Sequence, residues 1–91
     1  DVTSELSFGE RDDRRVARIS EQSTHDAVLQ AGQAAGVEAV FASCTNLRSF
    51  GIIDAAERKL NVPVVSSNSA LLWHLCRAAG VPGLGGPGRL F

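Results

Sequence analysis

The chain has 91 residues, enough for one small domain, and nine basic against ten acidic residues give a net charge of −1. With no basic stripe and no apolar run longer than a few residues, this composition argues against nucleic-acid and membrane partners. Two cysteines form no disulfide framework, so we expect a reducing, cytoplasmic location. The chain opens on Asp1 and contains no methionine, so we expect it to be part of a longer protein.

The first third of the chain predicts a strand and a helix. Apolar side chains at even positions predict a short strand over residues 2–8, and the charged run over residues 9–15 predicts a solvated loop. Ser20 is placed to cap a helix over residues 21–35, and Gly36 is placed to end it.

Two buried strands follow, and each leads into a polar loop and then a helix. Short apolar runs predict strands over residues 37–42 and 62–65. Apolar residues at helical spacing predict helices over residues 49–60 and 69–79, with Asn61 in the left-handed position after the first of them.

The order of these elements predicts the fold class. The order β-α-β-α-β-α with short connections is typical of an α/β fold, a parallel sheet with flanking helices. Residues 1–91 are therefore expected to form one α/β domain, which ends in a Gly- and Pro-rich tail over residues 81–91. Three strands make a thin sheet, which is a second indication that the chain belongs to something larger.

Two polar clusters fall where ligands bind in such sheets, just beyond the carboxyl ends of the strands. Ser43-Cys44-Thr45-Asn46 follows one buried strand, and Ser66-Ser67-Asn68 follows the next. When these strands are neighbours, the two clusters face the same pocket, although they are more than twenty positions apart in the sequence.

Cys44 is the candidate catalytic residue. A cysteine near the start of a helix is favoured as the thiolate, which can take a proton from carbon, and a thiol can return one. Thr45, Asn46, Ser67 and Asn68 supply hydroxyl and amide groups that can hold a substrate carboxylate. The alternative is structural: a small buried thiol among residues that commonly form caps and turns.

The other candidates favour structural roles. Cys76 lies in the middle of the last helix on its apolar face, so core packing is the favoured interpretation. Trp73 is interpreted as a packing or subunit-contact residue, and Arg48 as a solvated surface residue. His25 and His74 have no neighbours at metal-ligand spacing, so no metal site is expected.

Five segments together resemble a known group of enzymes. They are similar to the carboxyl half of maleate cis-trans isomerases of the Asp/Glu racemase superfamily, and more loosely to arylmalonate decarboxylases. The combination of SCTN and PVVSSN at this spacing is fairly specific. The segments are Ser43-Cys44-Thr45-Asn46-Leu47-Arg48, Pro63-Val64-Val65-Ser66-Ser67-Asn68, Ala70-Leu71-Leu72-Trp73-His74, Arg77-Ala78-Ala79-Gly80 and Gly88-Arg89-Leu90.

The resemblance implies the carboxyl-terminal half, flavodoxin-like or Rossmann-like, of a two-domain enzyme that uses no metal or organic cofactor. Cys44 matches the second-half cysteine, which is an acid/base in the isomerases and protonates the enediolate in the decarboxylases. Thr45 and Asn46 match residues that help to hold the substrate, and Ser67 and Asn68 are carried over as further binding residues. The amino-terminal half with the opposing cysteine is then missing. We therefore expect the chain alone to be inactive, and its exposed interdomain face to favour a homo-oligomer.

The leading functional prediction is a cysteine-based isomerase of maleate-like dicarboxylates. The first alternative is an arylmalonate-type decarboxylase, or an amino-acid or hydantoin racemase, acting on small carboxylic acids. The alternative from another class is a non-catalytic α/β module that binds a small anion or serves in assembly. If Cys44 is catalytic, it is expected to react faster with thiol reagents than Cys76.

Overall fold

Two parallel strands form the sheet in the computed structural model, which describes residues 2–81 and 85–91. Strand β1 (Val40–Ala42) pairs with β2 (Val64–Ser66), and the register sets Val40 opposite Val64 and Ala42 opposite Ser66. Both strands are shorter than predicted, and β2 ends one residue later. Pro63 has no amide hydrogen, but its carbonyl accepts a hydrogen bond from the Val40 amide at 2.9 Å, which begins the pairing. The predicted α/β fold with a parallel sheet is confirmed.

The described residues form four α-helices, of which the last three flank the sheet, and a short 3₁₀ helix (Phe50–Ile52) runs directly into the third. The last helix begins two residues earlier than predicted, because the Ser66 side chain caps it. None of these helices is both long and apolar enough to cross a lipid bilayer. They are α1 (Asp13–Val16), α2 (Glu21–Gly32), α3 (Ile53–Leu60) and α4 (Ser67–Ala78).

Local side chains explain where the first two helices lie. The Ser20 hydroxyl accepts from the Ser23 amide at 3.0 Å, so the predicted start of α2 is confirmed. Its predicted end is wrong, because α2 stops at Gly32 and Gly36, at φ +84°, lies in the turn that leads to β1. The predicted loop over residues 9–15 is also wrong in part: Asp12 caps the short α1, whose last residue is buried.

The first predicted strand is absent from the structure. Residues 2–8 form neither helix nor strand, and Val2, Leu6 and Phe8 are exposed. A cavity of about 1010 Å³ lies between this segment, one side of α2 and the chain around β1. An alternating apolar pattern becomes a strand only when a neighbouring strand accepts its hydrogen bonds. In the described residues the outer edge of β1 has no such neighbour, so the predicted β-α-β-α-β-α order fails at its first element.

The apolar core lies on one face of the sheet. It joins Val28 of α2 and Ile53 and Ala56 of α3 to the strand residues Val40 and Val64. Side chains alternate between the two faces along β1, so the middle residue, Phe41, points to the opposite face of the sheet. Its side chain is 60% exposed. The left-handed Asn61 that ends α3 is confirmed at φ +57°.

Helix α4 is poorly covered by the rest of the described chain. Ser69 is its one buried residue, while Leu71 and Leu75 are 52% and 54% exposed. The predicted core stripe on this helix is therefore wrong, and Cys76 is half-buried rather than in the core. The side chain of Trp73 is half-buried and stacks with the Arg77 guanidinium, 5.0 Å from the ring centre.

Candidate active site

The two polar loops beyond β1 and β2 contact each other directly. The Cys44 amide donates a hydrogen bond to the Ser67 hydroxyl at 3.0 Å. The Asn68 side-chain amide donates to the Thr45 carbonyl at 2.9 Å. Each bond spans 23 positions of sequence, and both follow from the parallel pairing that sets Ala42 opposite Ser66. The structure thus brings the two loops into contact, as strand order predicted, but Cys44 lines the large cavity while Ser67 and Asn68 do not.

Cys44 has an unusual backbone conformation for a residue with a side chain. Its φ is +114°, and apart from Asn61 no other non-glycine residue among those described has a positive φ. Such conformations cost on the order of 1–3 kcal/mol and occur mainly at functional sites. The carbonyl of Cys44 accepts from the Leu47 amide at 3.3 Å, which closes a turn over Thr45 and Asn46. The side chain is half-buried, borders the large cavity and is not part of the apolar core.

The helix start next to Cys44 is that of α4, not that of the following helix. The sequence predicted a helix from residue 49, but the 3₁₀ turn begins at Phe50 and α3 at Ile53. Ser67, the first residue of α4, instead holds the Cys44 amide. The positive end of the α4 dipole favours a bound carboxylate close to it.

A reciprocal cap fixes this helix start. The Ser66 hydroxyl accepts from the Ser69 amide at 3.0 Å, and the Ser69 hydroxyl accepts from the Ser66 amide at 2.9 Å. Both serines are fully buried. The first turn of α4 is therefore held rigidly beneath the cysteine loop.

The remaining predicted residues lie around this contact. Thr45 and Asn46 are exposed at the tip of the turn, where a ligand can reach their side chains. Arg48 is exposed, as predicted, and its Nε donates to the Ala17 carbonyl at 3.0 Å, which ties the loop to the end of α1. Among the described residues, no group of three or more His, Cys, Asp or Glu side chains is arranged to hold a metal ion.

Two features of the region were not predicted from the sequence. The side chain of Ser67, expected to face a substrate, has its oxygen occupied by the Cys44 amide. Ser49 is 2% exposed and His25 8% exposed, and the Ser49 Oγ and His25 Nε2 atoms have no hydrogen-bond partner among the described atoms. A serine before a helix normally indicates a cap, so the pattern carried no signal of a buried, unpaired hydroxyl.

Comparison with known proteins agrees with this fold. The family described as arylmalonate decarboxylase matches residues 4–91. The arylmalonate decarboxylase of Bordetella bronchiseptica is 37% identical over 79 residues, which cover 84% of this chain and 33% of that protein. A liganded mutant of arylmalonate decarboxylase superposes with a TM-score of 0.89 at 34% identity, over 98% of this chain and 39% of that one. An unliganded structure of the enzyme gives a TM-score of 0.80 at 34% identity, over 94% and 39% of the two chains.

These relatives share the fold of the Asp/Glu racemase superfamily, with its parallel sheet and flanking helices. Within that superfamily, the chain belongs to the arylmalonate decarboxylase family. The sequence interpretation was right about the superfamily, but it ranked the maleate isomerases first, and the comparisons favour the decarboxylase alternative. The chain spans about a third of the curated relative and about two fifths of the solved structures.

Proposed function

We propose that this chain is the carboxyl-terminal half of a cofactor-independent decarboxylase of arylmalonate-type substrates, in which Cys44 is the acid. The main support is the contact between the two polar loops, which holds Cys44 beside the start of α4. Membership in the arylmalonate decarboxylase family supports the substrate class. A small aryl-substituted malonate presents two carboxylates, and the helix start offers amides and a dipole suited to anions.

The proposed reaction has two steps at the central carbon of the substrate. The bond to one carboxylate breaks, carbon dioxide leaves, and the electron pair remains on the central carbon as an enediolate. The Cys44 thiol then gives its proton to that carbon, and the thiolate recovers a proton from solvent. The exposed Thr45 and Asn46, with the α4 start, stabilise the negative charge on the enediolate oxygens.

A second wall of the cleft is supplied by the rest of the enzyme. The outer edge of β1, the large cavity beside it and the exposed Phe41, Leu71 and Leu75 leave apolar surface that a further domain can cover. One wall cannot exclude water or orient a substrate. The chain alone is therefore inactive in this proposal, and the opposing catalytic groups come from an amino-terminal half.

The test compares phenylmalonate with maleate as substrates, and the complete enzyme with this chain alone. The complete enzyme is expected to release carbon dioxide from phenylmalonate and to leave maleate unchanged, while the 91-residue chain turns over neither. Conversion of maleate to fumarate without decarboxylation would instead support the isomerase. Turnover of phenylmalonate by the chain alone would show that the second wall is unnecessary.

A further inference from the structure

We propose that Ser67 and Asn68 are positioning residues, which hold Cys44 in its strained conformation rather than binding substrate. This inference rests on the proposed function, in which Cys44 is the acid. Its basis is the pair of hydrogen bonds that cross from the start of α4 to the cysteine loop.

The two bonds restrain the peptide group before Cys44 and the peptide group after Thr45. Ser67 accepts from the amide that enters Cys44, and Asn68 donates to the carbonyl that leaves Thr45. Between these two anchors lies the φ of +114°. A strained residue keeps its conformation only where its surroundings impose it. The two anchors provide that restraint, and the reciprocal cap of Ser66 and Ser69 keeps the anchors themselves in place.

The chemistry of the two side chains matches the backbone groups that they hold. A serine oxygen can accept from an amide hydrogen, and an asparagine amide can donate to a carbonyl. Neither bond requires a ligand. Loss of the Ser67 bond would let the loop relax towards an ordinary φ and displace the Cys44 side chain, and a displacement of about 1 Å costs as much as a hundredfold in rate.

The first test measures the backbone bond directly, without any assay of activity. In Ser67→Ala, hydrogen exchange of the Cys44 amide in the chain is expected to become about tenfold faster, because its acceptor is gone. The Val64 amide, which is held by Glu57 at 2.8 Å, reports whether the fold is intact and should exchange as in the wild type. Ser67→Thr keeps a hydroxyl and should restore slow exchange, and Ser23→Ala, at an exposed position of α2, is the matched control.

The second test separates positioning from binding in the complete enzyme. Ser67→Ala is expected to lower kcat by about tenfold to a hundredfold with KM within about twofold, and Ser67→Thr should recover most of the loss. Asn68→Asp, which keeps the shape but removes the donor, should behave like Ser67→Ala. A raised KM with unchanged kcat would overturn the proposal, as would unchanged exchange of the Cys44 amide. If the Cys44 amide exchanges faster in Ser67→Ala but the complete enzyme does not decarboxylate phenylmalonate, the positioning role is supported and the proposed function is refuted.

Discussion

Replacing Cys44 with serine is expected to lower kcat for arylmalonate decarboxylation in the complete enzyme by a factor of about 10² to 10⁴, the usual contribution of a positioned acid. A serine hydroxyl has nearly the same shape as the thiol but gives up its proton far less readily. KM should change by less than about threefold, because the α4 start and the exposed Thr45 and Asn46, which are proposed to hold the carboxylates, are untouched.

Cys76→Ser is the matched control for this experiment. Cys76 is also half-buried, but it lies in the last turns of α4, away from the loop contact. Its replacement should leave kcat within about twofold, since nothing near the reacting carbon changes. Equal losses in the two variants, or full activity in Cys44→Ser, would show that the acid is another group.

Replacing Glu57 with alanine is expected to destabilise the chain by about 3 kcal/mol, a large share of the stability of a small domain. Glu57 is 5% exposed, and its carboxylate accepts from the Val64 amide at 2.8 Å and from the Arg89 amide at 3.0 Å. It therefore joins α3, the start of β2 and the carboxyl-terminal tail. Without the carboxylate, the buried Val64 amide has no acceptor, and that unmet group accounts for much of the cost.

The tail supplies both a control and a second readout. Asp54 accepts from the Gly88 amide at 2.9 Å but is exposed, so Asp54→Ala should cost less than about 1 kcal/mol. Gly88 is at φ +82°, and a Cβ there would lie 2.7 Å from Ile53 and 2.9 Å from Glu57. Only glycine therefore fits at this position of the tail. Urea unfolding measures the free energies, and trypsin should cleave after Arg89 faster in Glu57→Ala. Equal unfolding free energies for the two variants would contradict the role of Glu57 in joining α3, β2 and the tail.

The sequence predicted those parts of the fold that short-range patterns determine. The Ser20 cap, the left-handed Asn61 and the two parallel strands depend on neighbouring residues or on short apolar runs, and all are present. Residues 2–8 have the pattern of a strand but no strand beside them to accept its hydrogen bonds. The apolar residues of α4 have the spacing of a buried face, yet nothing in the described chain covers Leu75. In each case a correct local pattern lacks its partner surface.

The site was predictable in its composition but not in its geometry. Strand order was enough to bring Cys44 and Ser67 together, because parallel strands end at one edge of a sheet. No local pattern indicates that Cys44 adopts a φ of +114°, since this conformation is imposed by a hydrogen bond from 23 residues away. The motifs around Cys44 resemble those of both the isomerases and the decarboxylases. They therefore indicated the superfamily but did not distinguish the two activities.

The most direct test of the account is the rate at which iodoacetamide labels the two cysteines of the chain, followed by mass spectrometry. Both thiols are half-buried, so exposure alone predicts similar rates. Cys44 borders the large cavity, which can admit the reagent, whereas Cys76 does not line it. We predict that Cys44 is labelled at least about tenfold faster than Cys76. Labelling of Cys44 at the rate of Cys76, or more slowly, would contradict a reactive thiol at the meeting point of the two loops.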